Sequence, residues 1–286
     1  GREAELAQRT ALARELADLY AGRVLDEKRE HKALLAWTES ASEDPEPWRR
    51  LARSYERRKR YKELLDALDA LARLEPEPEA RAAALLSAAE LCAQRLKDDA
   101  AVMARLAQYA RLSDEPLPEP VLDLARKAAG LPELCAMCEA TGRYEQLCAL
   151  LRERIAQSVD PERKAELYRQ LATALIEHLQ DEEAALGAYD GLLALVDDVD
   201  ALRFVQAWAS RHDDPRRLAD ALGRLARNES DVAERRDLWL ERGRILRTQL
   251  DDPRAALDAF EEALAVEPDY GPALDELLVA SELAGD

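Results

Sequence analysis

An eleven-residue block that occurs twice limits what this chain can fold into more than any other feature. Leu179-Gln-Asp-Glu-Glu-Ala-Ala-Leu-Gly-Ala-Tyr189 returns 71 residues later as Leu250-Asp-Asp-Pro-Arg-Ala-Ala-Leu-Asp-Ala-Phe260. The register extends backward, with Leu147 over Leu218 and Tyr168 over Trp239, and forward, with Leu193 over Leu264. Self-similarity at a fixed period marks stacked supersecondary units that share one growing core. A second spacing, 83 residues, sets Tyr61-Lys-Glu-Leu-Leu over Tyr144-Glu-Gln-Leu-Cys. The unit is therefore a couplet of two helical hairpins, one shorter and one longer.

Composition supports helices. Ala, Leu, Glu, Asp and Arg dominate, while Gly (10 of 286) and Phe (2) are scarce, so a sheet has little to build on. The 13 prolines punctuate amphipathic stretches of helical period and mark boundaries, because proline breaks a helix interior yet suits its first turn. Asp-Asp-Pro at 213–215 and 251–253 is the clearest start signal, with aspartate capping and proline at the first helical position. The pattern predicts helix pairs 4–24 with 28–40, 45–58 with 61–73, 79–96 with 99–112, 131–141 with 143–157, 161–179 with 182–196, 199–211 with 215–227, and 231–249 with 253–266. A last helix, 271–283, stands alone. Residues 113–130 read as an irregular insertion holding a short helix at 121–128. The expected architecture is one all-α solenoid over 1–286, of about seven helical hairpins plus a terminal helix.

The hairpins resemble the tetratricopeptide repeat (TPR), in a degenerate form. Trp48, Leu51, Ala52 and Tyr55 follow that family's first-helix pattern, and Pro76 its closing proline. Trp239, Gly243 and Leu246, then Ala256, Phe260, Ala263 and Pro268, follow it through both helices of a later unit. Tyr168, Ala172, Ala185 and Tyr189 fit less tightly, and 131–157 and 199–227 keep only the apolar spacing. Small residues let paired helices approach, and large ones fill the space between hairpins. The resemblance implies a right-handed α-α superhelix whose first helices line a concave groove that holds a peptide or partner helix, with binding and no chemistry.

Candidate sites follow from that register. Between Arg49 and Lys62 stand eight basic residues against one acid, Glu56, in a chain of net charge −18. Arg49, Arg53 and Arg57 fall on the first helix of their hairpin, and Arg169, Arg203, Arg244 and Arg247 on first helices of later ones. Guanidinium forks pair well with carboxylates, so an acidic peptide or a C-terminal carboxylate is the candidate ligand; the plainer expectation is a solvated face balancing acids on the neighbouring helix. The lysine and asparagine clamp of chaperone-binding relatives is not matched, since Arg53 stands where an asparagine would. Cys135-Ala-Met-Cys138, with Cys148 and Cys92, has the spacing of a metal or redox motif. In the repeat register, however, these cysteines align with packing positions such as Ala52, Tyr55 and Leu175. His31, His178 and His212 read as core edge or surface, and the four tryptophans as core, with Trp208 the most exposed.

No phosphate loop, nucleophile elbow or His-Glu-x-x-His motif is present. Strong acidity argues against a general nucleic-acid binder, and no apolar run is long enough to cross a membrane. The expectation is a non-enzymatic protein-binding scaffold without metal or cofactor, suited to the cytoplasm, although a removed signal peptide stays open because the chain starts at Gly1. A GC-rich bacterial source fits the composition. The alternative is the sensor or regulatory region of a larger effector, which the apolar stripe of 271–283 favours.

Overall fold

The computed structural model describes residues 2–285, and among these every regular element is helical. The chain divides into two compact units, the first ending at Leu147 and the second beginning at Cys148. In the first, α1 (Arg2–Leu19), continued by a π turn (Tyr20–Val24), pairs with α2 (Glu27–Ser40). Next come α3 (Pro45–Arg57) with α4 (Tyr61–Leu74), and α5 (Pro78–Leu91), with a π turn (Cys92–Leu96), beside α6 (Asp99–Ala110). A single helix α7 (Glu119–Ala129) and α8 (Leu131–Ala140) follow. Helix α9 (Tyr144–Gln157) contains the division. The second unit holds α10 (Pro161–Ala174, then a π turn Leu175–Leu179) with α11 (Glu182–Leu193), α12 (Val199–Arg211) with α13 (Pro215–Asn228), α14 (Val232–Thr248) with α15 (Pro253–Val266), and α16 (Gly271–Ala284). Both units are thus built of TPR-like helical hairpins.

The couplet is written in the turns. Each hairpin bends through one residue in the left-handed region, where only glycine escapes a steric cost. In the short hairpins these are Lys59, Gly142 and Asp213, spaced 83 and 71 residues apart. In the long ones they are Leu25, Lys97, Gln180 and Asp251, spaced 72, 83 and 71 apart. After the bend, short hairpins bond five residues back (Arg60 N to Tyr55 O, 2.9 Å; Asp214 N to Ala209 O, 3.0 Å). Long ones bond six back (Asp26 N to Tyr20 O, 3.1 Å; Asp252 N to Leu246 O, 2.9 Å). The extra residue of the long hairpin sits in that turn, and in three of the four it widens the last helical turn to a π turn.

The Asp-Asp-Pro signal divides its labour. The first aspartate, Asp213 or Asp251, takes the left-handed bend. The second caps the next helix, Asp214 accepting from Arg217 N at 3.1 Å and Asp252 from Ala255 N at 3.0 Å. Asp26, Asp98 and Asp181 cap in the same way without the proline.

Packing follows the small-large pattern. Phe260 is fully buried, and a Cβ added to Gly243 would stand 2.3 Å from its ring. Gly191 leaves room for Tyr168 in the same manner. The helix in the segment 113–130 runs from Glu119 to Ala129, longer than the short helix expected at 121–128. The stretch before it is tied down. Arg143 donates to the carbonyls of Ser113 and Glu115, and Gln146 brackets Leu117, its Oε1 accepting from the Leu117 N–H at 2.8 Å and its Nε2 donating to the Leu117 carbonyl at 2.9 Å.

Candidate interaction surface

Helix α3 carries Arg49, Arg53 and Arg57 at steps of four, which puts them on one helical face. Their fates differ. Arg49 forms a two-pronged ion pair with Glu75 just beyond α4, one limb at 2.6 Å, and reaches Glu46 at 3.1 Å. Those carboxylates hold its guanidinium charged, well above its ordinary range. Arg53 and Arg57 are exposed and have no carboxylate partner. The rest of the basic run divides likewise. Arg50 binds Asp18 at 2.6 Å and Glu30 at 3.4 Å, Arg58 binds Glu27 at 3.1 Å, and Arg60 pairs with Glu63. Lys59 and Lys62 stay exposed without an ion pair. Four spare cations therefore project from the α3–α4 hairpin, with Glu56 among them.

All four candidate arginines of the second unit are latched within it. Arg169 donates to Asp198 at 2.8 Å, ahead of α12. Burial alone would raise the Asp198 carboxyl, but the Ala201 N–H and the Arg169 guanidinium outweigh it and hold it below its usual range. Arg203 stands 3.4 Å from Glu234 and 3.8 Å from Glu229. Arg244 and Arg247 share one carboxylate, Glu276 of α16, at 2.9 and 2.7 Å. In each case an arginine of a first helix reaches the acid that opens the next hairpin, or the helix after it. Sequence reasoning put these arginines in register but missed their acids. The signal was available, because the partner lies 26–32 residues downstream each time.

The cysteines are interior. Cys92, Cys138 and Cys148 are at most 1% exposed and Cys135 is 4% exposed. Burial pushes the Cys138 thiol up to about 11, far from the thiolate that a metal or redox site needs. Among the described residues, no group of three or more His, Cys, Asp or Glu is placed to hold a metal ion. His31 packs edge-on against Tyr55, and burial, then the charges of Arg58 and Arg60, lower its pKa. His212 stacks on Trp208 at 4.1 Å. Trp37 and Trp239 are buried, while Trp48 and Trp208 are part-exposed. No described helix is long and apolar enough to cross a membrane.

No family model matches the chain, and no curated protein matches it. Many solved structures do. The C-terminal part of a TPR repeat-containing protein from Cytophaga hutchinsonii is 14% identical, with 94% of this chain and 99% of that chain covered and a TM-score of 0.28. The TPR2AB domain of yeast Sti1, in complex with pHSP90, is 12% identical over 98% of this chain and all of that one, with a TM-score of 0.29. YrrB, a TPR protein with an unusual peptide-binding site, is 15% identical over 86% of this chain and 97% of that one, with a TM-score of 0.24. These superpositions are loose, and the hairpin assignment rests on the turns and packing of the chain itself.

Proposed function

We propose that this protein is a non-catalytic scaffold that binds another protein through an acidic segment, and that Arg53 and Arg57 are its contacts in the first unit. The observation that carries this reading is the pair of exposed guanidiniums left without a carboxylate on a helix whose other arginines are all engaged. Lys59 and Lys62 add to the local positive field in an otherwise acidic chain. A preformed helical face binds an extended segment with little ordering cost on its own side. Arg49, Arg169, Arg203, Arg244 and Arg247 enter this reading as spacers that fix neighbouring hairpins.

The test is an array of acidic peptides and their glutamine-substituted counterparts, followed by fluorescence anisotropy on the binders. Arg53→Glu with Arg57→Glu should weaken acidic-peptide binding on the order of tenfold or more while leaving helicity unchanged. Equal binding of acidic and neutral peptides, or an unchanged affinity in the double variant, overturns the reading.

A second reading, the regulatory region of a larger effector, is favoured by α16. Its Leu274, Leu278, Val279 and Leu283 are between 41% and 65% exposed, an apolar stripe with nothing over it. It predicts slower amide exchange in α16 within a parent protein than in this chain, and equal rates count against it.

A further inference from the structure

Arg242 is the half-buried arginine of the second unit that combines a carved seat, an aromatic floor and a second cation, yet has no acid. Arg224 of α13 and Arg236 and Arg247 of α14 each meet a carboxylate at ion-pair distance. Arg242 meets none, and its Nε is sealed from solvent without an acceptor. The seat is made by Gly223 of α13. A Cβ there would lie 2.8 Å from the Arg242 Nε and 3.0 Å from its Cδ, so a side chain at that position would displace the arginine. The floor is Trp239, whose ring centre is 5.3 Å from the guanidinium carbon of Arg242. The same ring lies 5.9 Å from the guanidinium carbon of Arg227, which is exposed and likewise has no ion pair. The two Nη groups of Arg242 are neither sealed nor bonded, so a fixed fork of donors opens to solvent beside a second cation.

We infer that Arg242 and Arg227, seated on Trp239 and Gly223 between α13 and α14, form a binding site for a carboxylate group of a protein partner. Two unpaired guanidiniums on one ring are mutually unfavourable, and burial followed by the charge of Arg227 depresses the Arg242 pKa. A monoanion relieves both costs, and a planar carboxylate accepts two parallel N–H bonds from one fork. The charge of the ligand is limited by its surroundings. Asp220, Asp258 and Glu262 lie near enough to act on Arg242 without pairing with it. Their field disfavours a dianionic phosphate more than a singly charged carboxylate. The site lies on a different helix pair from Arg53 and Arg57 and does not depend on their role.

The experiment uses the whole chain and proton–nitrogen NMR of arginine Nε–H and tryptophan indole groups, with acetate as the probe against chloride at matched ionic strength. Saturable shifts of Arg242 and Trp239 with acetate alone are expected. The Trp239 shift should vanish in Arg242→Gln, and in Arg227→Gln the half-saturating acetate concentration should rise about threefold or more. Thermal melting checks the fold of Arg242→Gln, and Arg227→Gln, at an exposed position, keeps the test valid if that variant does not fold. N-acetylglutamate α-amide and N-acetylglycine then tell a side-chain carboxylate from a chain terminus, the source being the one that saturates first. Shifts that chloride reproduces, or shifts that persist in Arg242→Gln, overturn the site. Inorganic phosphate saturating below acetate overturns the carboxylate assignment.

Discussion

Helix α3 in the first unit and helices α10, α12 and α14 in the second carry arginines at corresponding places, and the two groups end differently. In the second unit Arg169, Arg203, Arg244 and Arg247 all close on Asp198, Glu229, Glu234 or Glu276. On α3 the first arginine, Arg49, does the same with Glu75, but Arg53 and Arg57, one and two turns further on, have no acid opposite. The deciding residue is not the arginine. It is the acid some thirty positions later, at the mouth of the next hairpin or on the helix that follows. Where that acid is present the arginine is latched, and where it is absent the same side chain stays exposed and unpaired.

The largest expected effect comes from the strut that hides its acid best. The Glu75 side chain is 5% exposed, and its pairing with Arg49 ties α3 to the link between α4 and α5. Arg49→Gln leaves that carboxylate buried with its strongest partner gone. Loss of one partner from a fully buried pair costs about 3–5 kcal/mol. Because Arg49 is itself 40% exposed, water screens part of the interaction, and about 2–3 kcal/mol is expected by urea denaturation. Arg53→Gln on the same helix should change stability by no more than about 0.5 kcal/mol. Equal costs at 49 and 53 would break the distinction between strut and contact.

Next in size is Arg169→Gln, at about 1 kcal/mol, since Asp198 keeps the Ala201 N–H after the guanidinium is gone. This strut also carries a pH signature. The Asp198 carboxyl is held below its ordinary value in the folded chain. Its contribution is therefore complete above the ordinary carboxylate pKa and fades as pH falls through the depressed one. Melting temperatures of the parent and Arg169→Gln should differ at neutral pH and converge in acid, below the usual aspartate range. A difference that persists there would mean that Arg169 acts through packing and not through charge.

Most of the architecture was legible in the sequence, because helical period, proline boundaries and a recurring register are local signals. The hairpins at 45–58 with 61–73 and at 231–249 with 253–266 stand where the pattern put them. The turns were less legible. Nothing in Leu25, Lys97 or Gln180 announces a left-handed bend, since these are poor residues for that conformation; the caps at Asp26, Asp98 and Asp181 and the backbone bond six residues back accompany each one. The candidate site was half legible. Charge clustering identified the α3 run, but Arg49, Arg50 and Arg58 are occupied through pairings 20–32 residues apart, and a scan for local clusters does not see those. Arg242 was missed altogether, because its distinction lies in a glycine on another helix and a tryptophan beneath it.

The smallest expected effect sharpens the comparison most, because it asks whether a strut can be redundant. Arg244 and Arg247 stand one turn apart on α14 and both reach Glu276, so that carboxylate is doubly held. Arg247 is 22% exposed and Arg244 50%, which makes Arg247 the less screened of the two. Arg244→Gln alone should cost only a few tenths of a kcal/mol, since the remaining guanidinium still satisfies Glu276. Arg247→Gln should cost somewhat more. The double variant should exceed the sum of the two by about 0.5–1 kcal/mol, as expected for residues that share a partner. A double variant that melts like the parent would show that Glu276 depends on neither arginine. The α14–α16 contact would then rest on apolar packing, and the latched arginines of the second unit would stand on the same footing as Arg53 and Arg57.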